Sequence, residues 1–216
     1  MKIVCLKYGE ALYPERQLFA DRQGDGTVPL SFCFYLIETE DKKILIDTGC
    51  ELCEHFKMYV YKKPVDLLRE YGLTPEDITD VIITHSHDDH IGCLSEYKHA
   101  TVYIQKDEYE ARKAYFAPEQ QLHLFEEECK LSSNVRIERI GGHTKGSCVV
   151  FAGKYLLCGD DAYQYRNLSE RVRVGNTYSK KVSQEFVEKY SKSEWTPLLF
   201  HDSSTMPKTV GFEEII

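Results

Sequence analysis

Short apolar runs alternate with polar stretches that contain Gly and Pro along most of the chain, and this pattern predicts β-strands joined by turns. The runs that we interpret as strands share β-branched and aromatic residues and lie at 1–8, 31–38, 43–47, 81–83, 101–104, 135–140, 148–152, 155–158 and 196–200. The polar stretch 10–29 contains two glycines and is predicted to be a loop. A core rich in β-sheet is therefore expected.

Helical spacing, with apolar residues three or four positions apart, is found in 64–71, 106–130 and 183–191, and a Thr-Pro-Glu-Asp start predicts a short helix after Thr74. Pro118 divides the charged segment 106–130 into a pair of predicted helices that leave the sheet. This pair either covers a functional site or forms a solvated hairpin, and the sequence leaves both interpretations open. Strands with interspersed helices predict a mixed α/β fold, with two sheets inside and helices outside.

Polar residues recur where the apolar runs end. The residues that share this position are Asp47, His85, His143, Asp160 and His201. Because strand ends at one rim of a sheet commonly carry the chemistry of a protein, we expect these side chains to meet.

The segment 84–90, Thr-His-Ser-His-Asp-Asp-His, follows the apolar run 81–83 and is the strongest chemical signal in the chain. His85 and His87 are two positions apart, so they point the same way on extended backbone. Asp89 and His90 lie just beyond, where Gly92 and the following apolar residues predict a turn into a helix. Histidine nitrogen and carboxylate oxygen are ligands that zinc and similar cations take. This one segment can therefore contribute ligands to two neighbouring ions.

Composition limits the possible partners. The 216 residues, of which 42% are apolar and 29% charged, predict one globular domain that spans 1–216. The formal net charge of −8 argues against a nucleic-acid partner, which favours a basic surface. The sequence shows neither a signal peptide nor a membrane-spanning run, so we expect a cytoplasmic protein that acts on a small molecule, away from membranes. Its oligomeric state is left open.

Eight cysteines are spread over the chain, several of them inside apolar runs, and we interpret them as reduced thiols. Cys50 and Cys53 form a single C-x-x-C pair. A redox or structural-metal role is the alternative interpretation for this pair, but ordinary thiols are favoured.

The pattern H-x-H-x-D-H at 85–90 resembles the signature of the metallo-β-lactamase-fold superfamily, and the resemblance extends over about residues 31–202. It implies a four-layer αββα sandwich and one group of ligands for each of two metal ions: His85, His87 and His143 for the first, and Asp89, His90 and His201 for the second. It further implies that Asp160 bridges both ions, with Asp161 as the alternative, and that Asp47 orients the ligands without binding metal.

The same resemblance implies a metal-dependent hydrolase that contains two zinc ions, with iron or manganese as alternatives. Paired divalent ions generate a bridging hydroxide that attacks a carbonyl carbon, so neither a Ser nor a Cys nucleophile is needed. Asp89, a ligand with a second oxygen, could relay a proton to the leaving group.

Three short segments resemble the N-acyl homoserine lactonase branch of the superfamily: Asp160–Tyr163, Phe200-His201-Asp202 at the end of the last predicted strand, and Val28-Pro29-Leu30. In that branch a tyrosine three residues after the bridging Asp faces the substrate carbonyl, and Tyr163 matches it. The implied function is the opening of a lactone or related ester, with acyl-homoserine lactones as one candidate. Lys145, where the family usually has Pro, and Cys93, where many members have Gly, depart from the pattern.

Three other functions are kept as alternatives. They are a thioester hydrolase of the glyoxalase II type, a persulfide dioxygenase with a single iron, and a ligand-binding member of the fold without catalysis.

Overall fold

The computed structural model describes residues 1–51, 57–192, 194–203 and 207–216. In these ranges the strands are Lys2–Pro14 (β1), Thr27–Glu38 (β2), Lys43–Ile46 (β3), Met58–Tyr61 (β4), Asp80–Ile83 (β5), Thr101–Gln105 (β6), Leu122–Phe125 (β7), Glu128–Lys130 (β8), Val135–Arg139 (β9), Cys148–Ala152 (β10), Tyr155–Leu157 (β11), Thr196–Leu198 (β12) and Gly211–Glu214 (β13). The α-helices are Glu15–Leu18 (α1), Pro64–Tyr71 (α2), Asp88–Ile91 (α3), Lys106–Ala111 (α4), Tyr165–Ser169 (α5) and Lys180–Tyr190 (α6).

The strands form two sheets. The first has the order β13-β1-β2-β3-β5-β6-β7, with β4 paired to β1, and the second has the order β12-β11-β10-β9-β8. In the first sheet β3, β5, β6 and β7 are parallel, while β1 and β2 form a long antiparallel pair.

Alternation of side chains divides the core into three apolar layers. In β2, Phe34 points toward the layer that also contains α2, while its neighbour Tyr35 points into the layer between the sheets. In β10, Val150 lies between the sheets and Val149 packs in the layer that contains α6. Two sheets face each other with helices on both outer faces, which confirms the predicted αββα sandwich.

The two sheets meet at the ends of several strands. Thr84 lies just after β5, and Cys148 begins β10 in the other sheet. The carbonyl of Thr84 accepts a hydrogen bond of 2.9 Å from the backbone N–H of Cys148. The N–H of Ser31 in β2 reaches the carbonyl of His201 after β12, at 3.3 Å. The predicted meeting of strand ends therefore occurs along this edge.

The predicted helical pair at 106–130 is only half correct. The first part contains α4 and a 3₁₀ turn at Lys113–Tyr115, but the second part contains β7 and β8. The register of β7 against β6, with Val102 opposite Leu122 and Gln105 opposite Phe125, explains the difference. A sheet edge offers backbone hydrogen bonds to a segment whose side chains are mostly exposed, so apolar periodicity is not needed there.

The predicted loop at 10–29 is also shorter than expected. Strand β1 continues to Pro14 and β2 begins at Thr27, because the two strands stay paired up to that point. Strands β4 and β13, which both pair with β1, were not predicted from the sequence.

Six cysteines are buried free thiols, as predicted: Cys5, Cys33, Cys93, Cys129, Cys148 and Cys158. Cys50, in contrast, is disulfide-bonded, so the prediction of a reduced thiol is wrong at this position. Cys53 lies outside the described residues. Among the residues that are described, no helix combines the length and apolar character that a bilayer crossing needs.

Candidate metal centre

The segment after β5 carries the centre of the site because both of its ends are fixed. Strand β5 is fully buried, and Thr84 directly after it is held by Asp47. His87 is the residue before α3, whose first turn brings Asp89 and His90 inward, where both are buried. The short helix α3 therefore points Asp89 and His90 into the site, next to His85 and His87 from the preceding extended segment.

All seven predicted metal ligands lie together. Their ligand atoms form two groups, each with all its atoms within 4.8 Å of one another: His85, His87, His143 and Asp160 in the first, and Asp89, His90 and His201 in the second. The segment 84–90, which follows β5 of the first sheet, supplies four of these residues, and segments that follow strands of the second sheet supply the others. Their roles as ligands stay predictions, but the proximity that such roles require is present.

Several histidine nitrogens approach one another closely. Nδ1 of His87 lies 3.1 Å from Nε2 of His85 and 3.0 Å from Nε2 of His143. In the second group, Nε2 of His90 lies 3.3 Å from Nε2 of His201. Converging basic nitrogens that are mostly buried are the arrangement expected where imidazoles share a cation.

In four of these histidine rings, the Nε2 atom faces the neighbouring ligands and the Nδ1 atom contacts a group outside the ligand set. These contacts join Nδ1 to an oxygen: His85 to the Thr84 hydroxyl (3.2 Å), His90 to the Asp47 carboxylate (2.7 Å), His143 to the Asn176 carbonyl (3.0 Å) and His201 to the Ser31 carbonyl (2.8 Å). Histidines that bind metals usually donate their second N–H in this way, which fixes the tautomer and leaves the other nitrogen for the ion. The residues therefore fit a metal centre.

Asp160 lies between the two groups. Its Oδ1 atom is 3.1 Å from Nε2 of His90 and 3.1 Å from Nε2 of His201, and its Oδ2 atom is 3.4 Å from Nε2 of His143. Oδ1 is buried, yet it accepts no well-aligned hydrogen bond from the described residues. Burial alone would raise the pKa of Asp160, but His201, His90 and His85 outweigh it and hold that pKa well below its usual range. A buried anion aimed at both groups suits a bridging position.

Asp161 has a different environment. Its carboxylate accepts the backbone N–H of His143 at 2.9 Å and the hydroxyl of Ser147 at 2.8 Å. Burial raises the pKa of Asp161 to about 7, although both hydrogen bonds oppose the shift. Gly142 is needed beside it, because a Cβ there would collide with the Asp161 carboxylate. Asp161 therefore anchors the loop that carries His143, and the geometry favours Asp160 as the bridge.

Asp47 connects three elements of the site. Its Oδ1 atom accepts the N–H of Thr84, and its Oδ2 atom lies 2.7 Å from both the Thr84 hydroxyl and Nδ1 of His90. The residue has a φ of 63°, a left-handed conformation that Asp tolerates better than most residues. Burial raises the pKa of Asp47, while the partners His90 and Thr84 act against that shift. This position suits an acid that orients a ligand, as the resemblance implied.

Glu108, on α4, holds two ligand-bearing loops and was not predicted from the sequence. One carboxylate oxygen accepts both the N–H and the hydroxyl of Ser86, at 2.8 and 2.7 Å. The other accepts the hydroxyl of Thr144 at 2.6 Å and the N–H of Gly146 at 2.9 Å. The side chain is 3% exposed. A buried carboxylate with four donors is strongly held, so the first half of α4 braces the site directly.

A cavity of about 310 Å³ opens onto the two groups. The residues that line it are Tyr13, Leu30, His87, Asp88, Asp89, Arg112, Asp160, Tyr163, Asn176 and His201. The ring of Tyr163 lies 5.7 Å from that of His143 and 5.2 Å from that of His201, between centroids. Burial raises the pKa of Tyr163 well above its usual value, and the charge of Asp160 adds to the effect, so the phenol stays protonated as a donor. Tyr163 therefore lies at the wall of this cavity, and its role toward a substrate stays a prediction.

Comparison with known proteins gives one family and one fold. The profile of the metallo-beta-lactamase superfamily matches residues 34–194. The N-acyl homoserine lactonase AiiB of Agrobacterium fabrum (strain C58 / ATCC 33970) is 29% identical over 119 residues, which cover 48% of this chain and 42% of that protein. An N-acyl homoserine lactonase of Bacillus cereus is 28% identical over 166 residues, which cover 64% of this chain and 66% of that protein.

The matched segments therefore span less than two thirds of these curated relatives. Among solved structures, a quorum-quenching N-acyl homoserine lactone lactonase superposes with a TM-score of 0.85 at 21% identity and covers 98% of both chains. A dizinc quorum-quenching lactonase, AidC, superposes with a TM-score of 0.73 at 18% identity and covers 99% of this chain and 93% of that one. At these identities the structural likeness shows the fold.

Proposed function

Because this chain belongs to the metallo-beta-lactamase superfamily, as its histidine motif predicted, we propose that it is a metal-dependent hydrolase that opens a lactone or a related ester. The observation that carries the proposal is the pair of ligand groups joined by Asp160, directly under a cavity large enough for a small molecule. The curated relatives that match the chain are N-acyl homoserine lactonases, which supports a lactone as the substrate class.

Each ligand group would hold one divalent cation, with Asp160 shared between them. His85, His87 and His143 form the first site, and Asp89, His90 and His201 form the second. Nitrogen and carboxylate oxygen, with no thiolate in either group, favour zinc. When bound, such a pair of ions supplies a hydroxide nucleophile at neutral pH and a Lewis acid for the carbonyl group.

The residues around the ligands complete the chemistry. Tyr163 lies at the cavity wall with a protonated phenol, so it would donate a hydrogen bond to the carbonyl oxygen as negative charge develops there. Asp89 also lines the cavity and is 7% exposed, which leaves its carboxylate within reach of a leaving alkoxide that needs a proton. Asp160 and His201, at the floor of the cavity, are 3% and 2% exposed, and this low exposure strengthens both interactions.

Metal analysis combined with a hydrolysis screen tests the proposal. Protein expressed with excess metal is expected to contain close to two zinc ions per chain, and to hydrolyse members of a panel of simple lactones and acyl-homoserine lactones. Chelators should abolish the activity, and zinc should restore it. Activity confined to glutathione thioesters would replace the lactone proposal with a thioesterase. One iron per chain without zinc would favour the dioxygenase, and full metal occupancy with no hydrolysis would favour a binding protein.

A further inference from the structure

Arg112 is a cation at the substrate cavity for which the ligand chemistry gives no role. It follows α4 and lines the cavity over the metal site, together with His87 and Tyr163. It also lines a second cavity of about 530 Å³ that shares His87 with the first. Arg112 therefore stands at the junction of the two spaces, where a substrate arm would leave the reacting centre.

The guanidinium is only loosely paired. Its Nη2 atom lies 3.7 Å from Oδ1 of Asp88, and the same oxygen already accepts the hydroxyl of Tyr115 at 2.6 Å. The Arg112 side chain is 41% exposed. Two nearby lysines, by contrast, have short carboxylate contacts of 2.7 Å: Lys113 with Glu110, and Lys145 with Asp107. Among the described residues that line these two cavities, Arg112 is thus the cation without a short carboxylate contact, and its guanidinium offers several donors to a ligand.

The rest of the cavity is poorly suited to a long apolar arm. Its apolar lining consists of Leu30 and the rings of Tyr13 and Tyr163, and Asn176 adds an amide. Two divalent cations would carry four positive charges, which is more than the carboxylates of Asp89 and Asp160 neutralise. The positive charge of Arg112 would offset the negative charge of Asp88. The field at the cavity mouth would then attract an anion.

We infer that Arg112 forms an anion subsite, and that the preferred substrate is a lactone or ester whose arm carries a carboxylate. This inference rests on the proposed hydrolase function and specifies its substrate class. In the reaction, water adds across the acyl C–O bond: the carbonyl carbon gains the hydroxyl group, and the new carboxylic acid releases its proton to become a carboxylate, while the ring oxygen gains the other proton of the water and becomes a hydroxyl. The arm carboxylate takes no part in bond breaking and serves to bind and orient the ring.

Two lactones of the same size test the subsite. 5-Oxotetrahydrofuran-2-carboxylate carries the anionic arm, and the corresponding 2-carboxamide is neutral with the same ring. The zinc-loaded wild-type protein is expected to show a higher kcat/KM for the carboxylate. Arg112→Gln should lower that kcat/KM by about 10- to 100-fold, the range for a hydrogen bond to a charged group, and change the value for the carboxamide by less than about threefold. Arg112→Lys should restore part of the loss.

Lys113→Gln is the matched control. It removes a positive charge at the residue next to Arg112, and the side chain of Lys113 does not line either cavity. It should leave both kcat/KM values near wild type. Equal effects of Arg112→Gln on the two lactones, or equal effects of the two variants, would overturn the subsite.

A binding measurement separates this inference from the proposed function. The ring-opened product of the carboxylate substrate is 2-hydroxyglutarate, and calorimetry on zinc-loaded protein gives its Kd without turnover. Arg112→Gln should raise that Kd about tenfold, and Lys113→Gln should not. If wild type hydrolysed neither lactone, the proposed function would fail while the Kd comparison still decided the subsite. An unchanged Kd in Arg112→Gln would count against the subsite even in an active hydrolase.

Discussion

The carboxylate of Glu108 accepts two hydrogen bonds from Ser86, at 2.8 Å from the backbone nitrogen and 2.7 Å from the hydroxyl. Ser86 lies between the proposed ligands His85 and His87, while the other Glu108 oxygen holds the residues after His143. One side chain on α4 therefore fixes the two loops that carry the histidines of the first metal group.

Glu108→Gln should weaken metal binding while leaving the fold intact. The amide can still accept from Thr144 and Gly146 with its oxygen, but its NH2 group would face the N–H of Ser86, which needs an acceptor. We expect a loss of about 10- to 100-fold in metal affinity, the range for residues that support ligands. Competition with a coloured chelator measures it. Glu110→Gln, at an exposed residue two positions away, is the control. Unchanged metal affinity in Glu108→Gln would show that the hydrogen bonds of Glu108 do not influence metal binding.

Asp47→Asn should affect the second metal group more than the first. Asn tolerates the left-handed backbone at this position, so the fold should be retained. One of the two carboxylate oxygens becomes an NH2 group, so His90 and Thr84 compete for the remaining acceptor. Elemental analysis after dialysis is expected to show a shift from about two ions toward one ion per chain. Retention of both ions at wild-type affinity would contradict the orienting role of Asp47.

Tyr163→Phe should separate catalysis from metal binding. The substitution keeps the ring, its packing against His143 and His201, and the shape of the cavity. Loss of the phenol donor is expected to lower kcat on the order of 10²-fold, or less where a neighbouring cation takes over the charge. Metal content should stay near wild type, whereas His87→Ala should lose both metal and activity. Full activity in Tyr163→Phe would show that the hydroxyl takes no part in catalysis and that Tyr163 only packs against its neighbours.

Removal of the metal should destabilise the folded protein. Ring nitrogens 3.0 to 3.3 Å apart, and the buried Oδ1 of Asp160 that accepts no well-aligned hydrogen bond from the described residues, are groups that a cation satisfies. A ligand that binds only the folded state contributes about 4 kcal/mol at a thousandfold excess over its Kd. Thermal unfolding with excess chelator is therefore expected at a lower midpoint than with zinc. His201→Ala, which loses one ligand, should show a smaller difference between the two conditions, and no difference in wild type would argue against a bound metal.

Much of the site could be predicted because it depends on local order along the chain. The spacing of His85 and His87, and the turn that brings Asp89 and His90 inward, depend on neighbouring residues alone. Asp47, His143 and His201 could be added because each follows an apolar run, and the ends of strands gather at one edge of a sheet. These rules act over a few residues, so alternation and motif spacing predicted the strands and the positions to examine, while the resemblance carried by the histidine motif implied the superfamily and the αββα sandwich.

The groups that support the ligands were decided only by tertiary structure. Glu108 contacts Ser86 across 22 residues and Gly146 across 38, and Asp161 reaches His143 across 18, so no local pattern relates these pairs. The strand at Leu122–Phe125 exists because β6 supplies backbone partners to a segment that was predicted to be helical from its charge and spacing. Arg112 has the sequence context of any surface arginine, and its position at the cavity follows from where the fold places the end of α4. Local sequence determines local geometry and periodicity, whereas buried hydrogen bonds and cavities depend on residues brought together from distant parts of the chain.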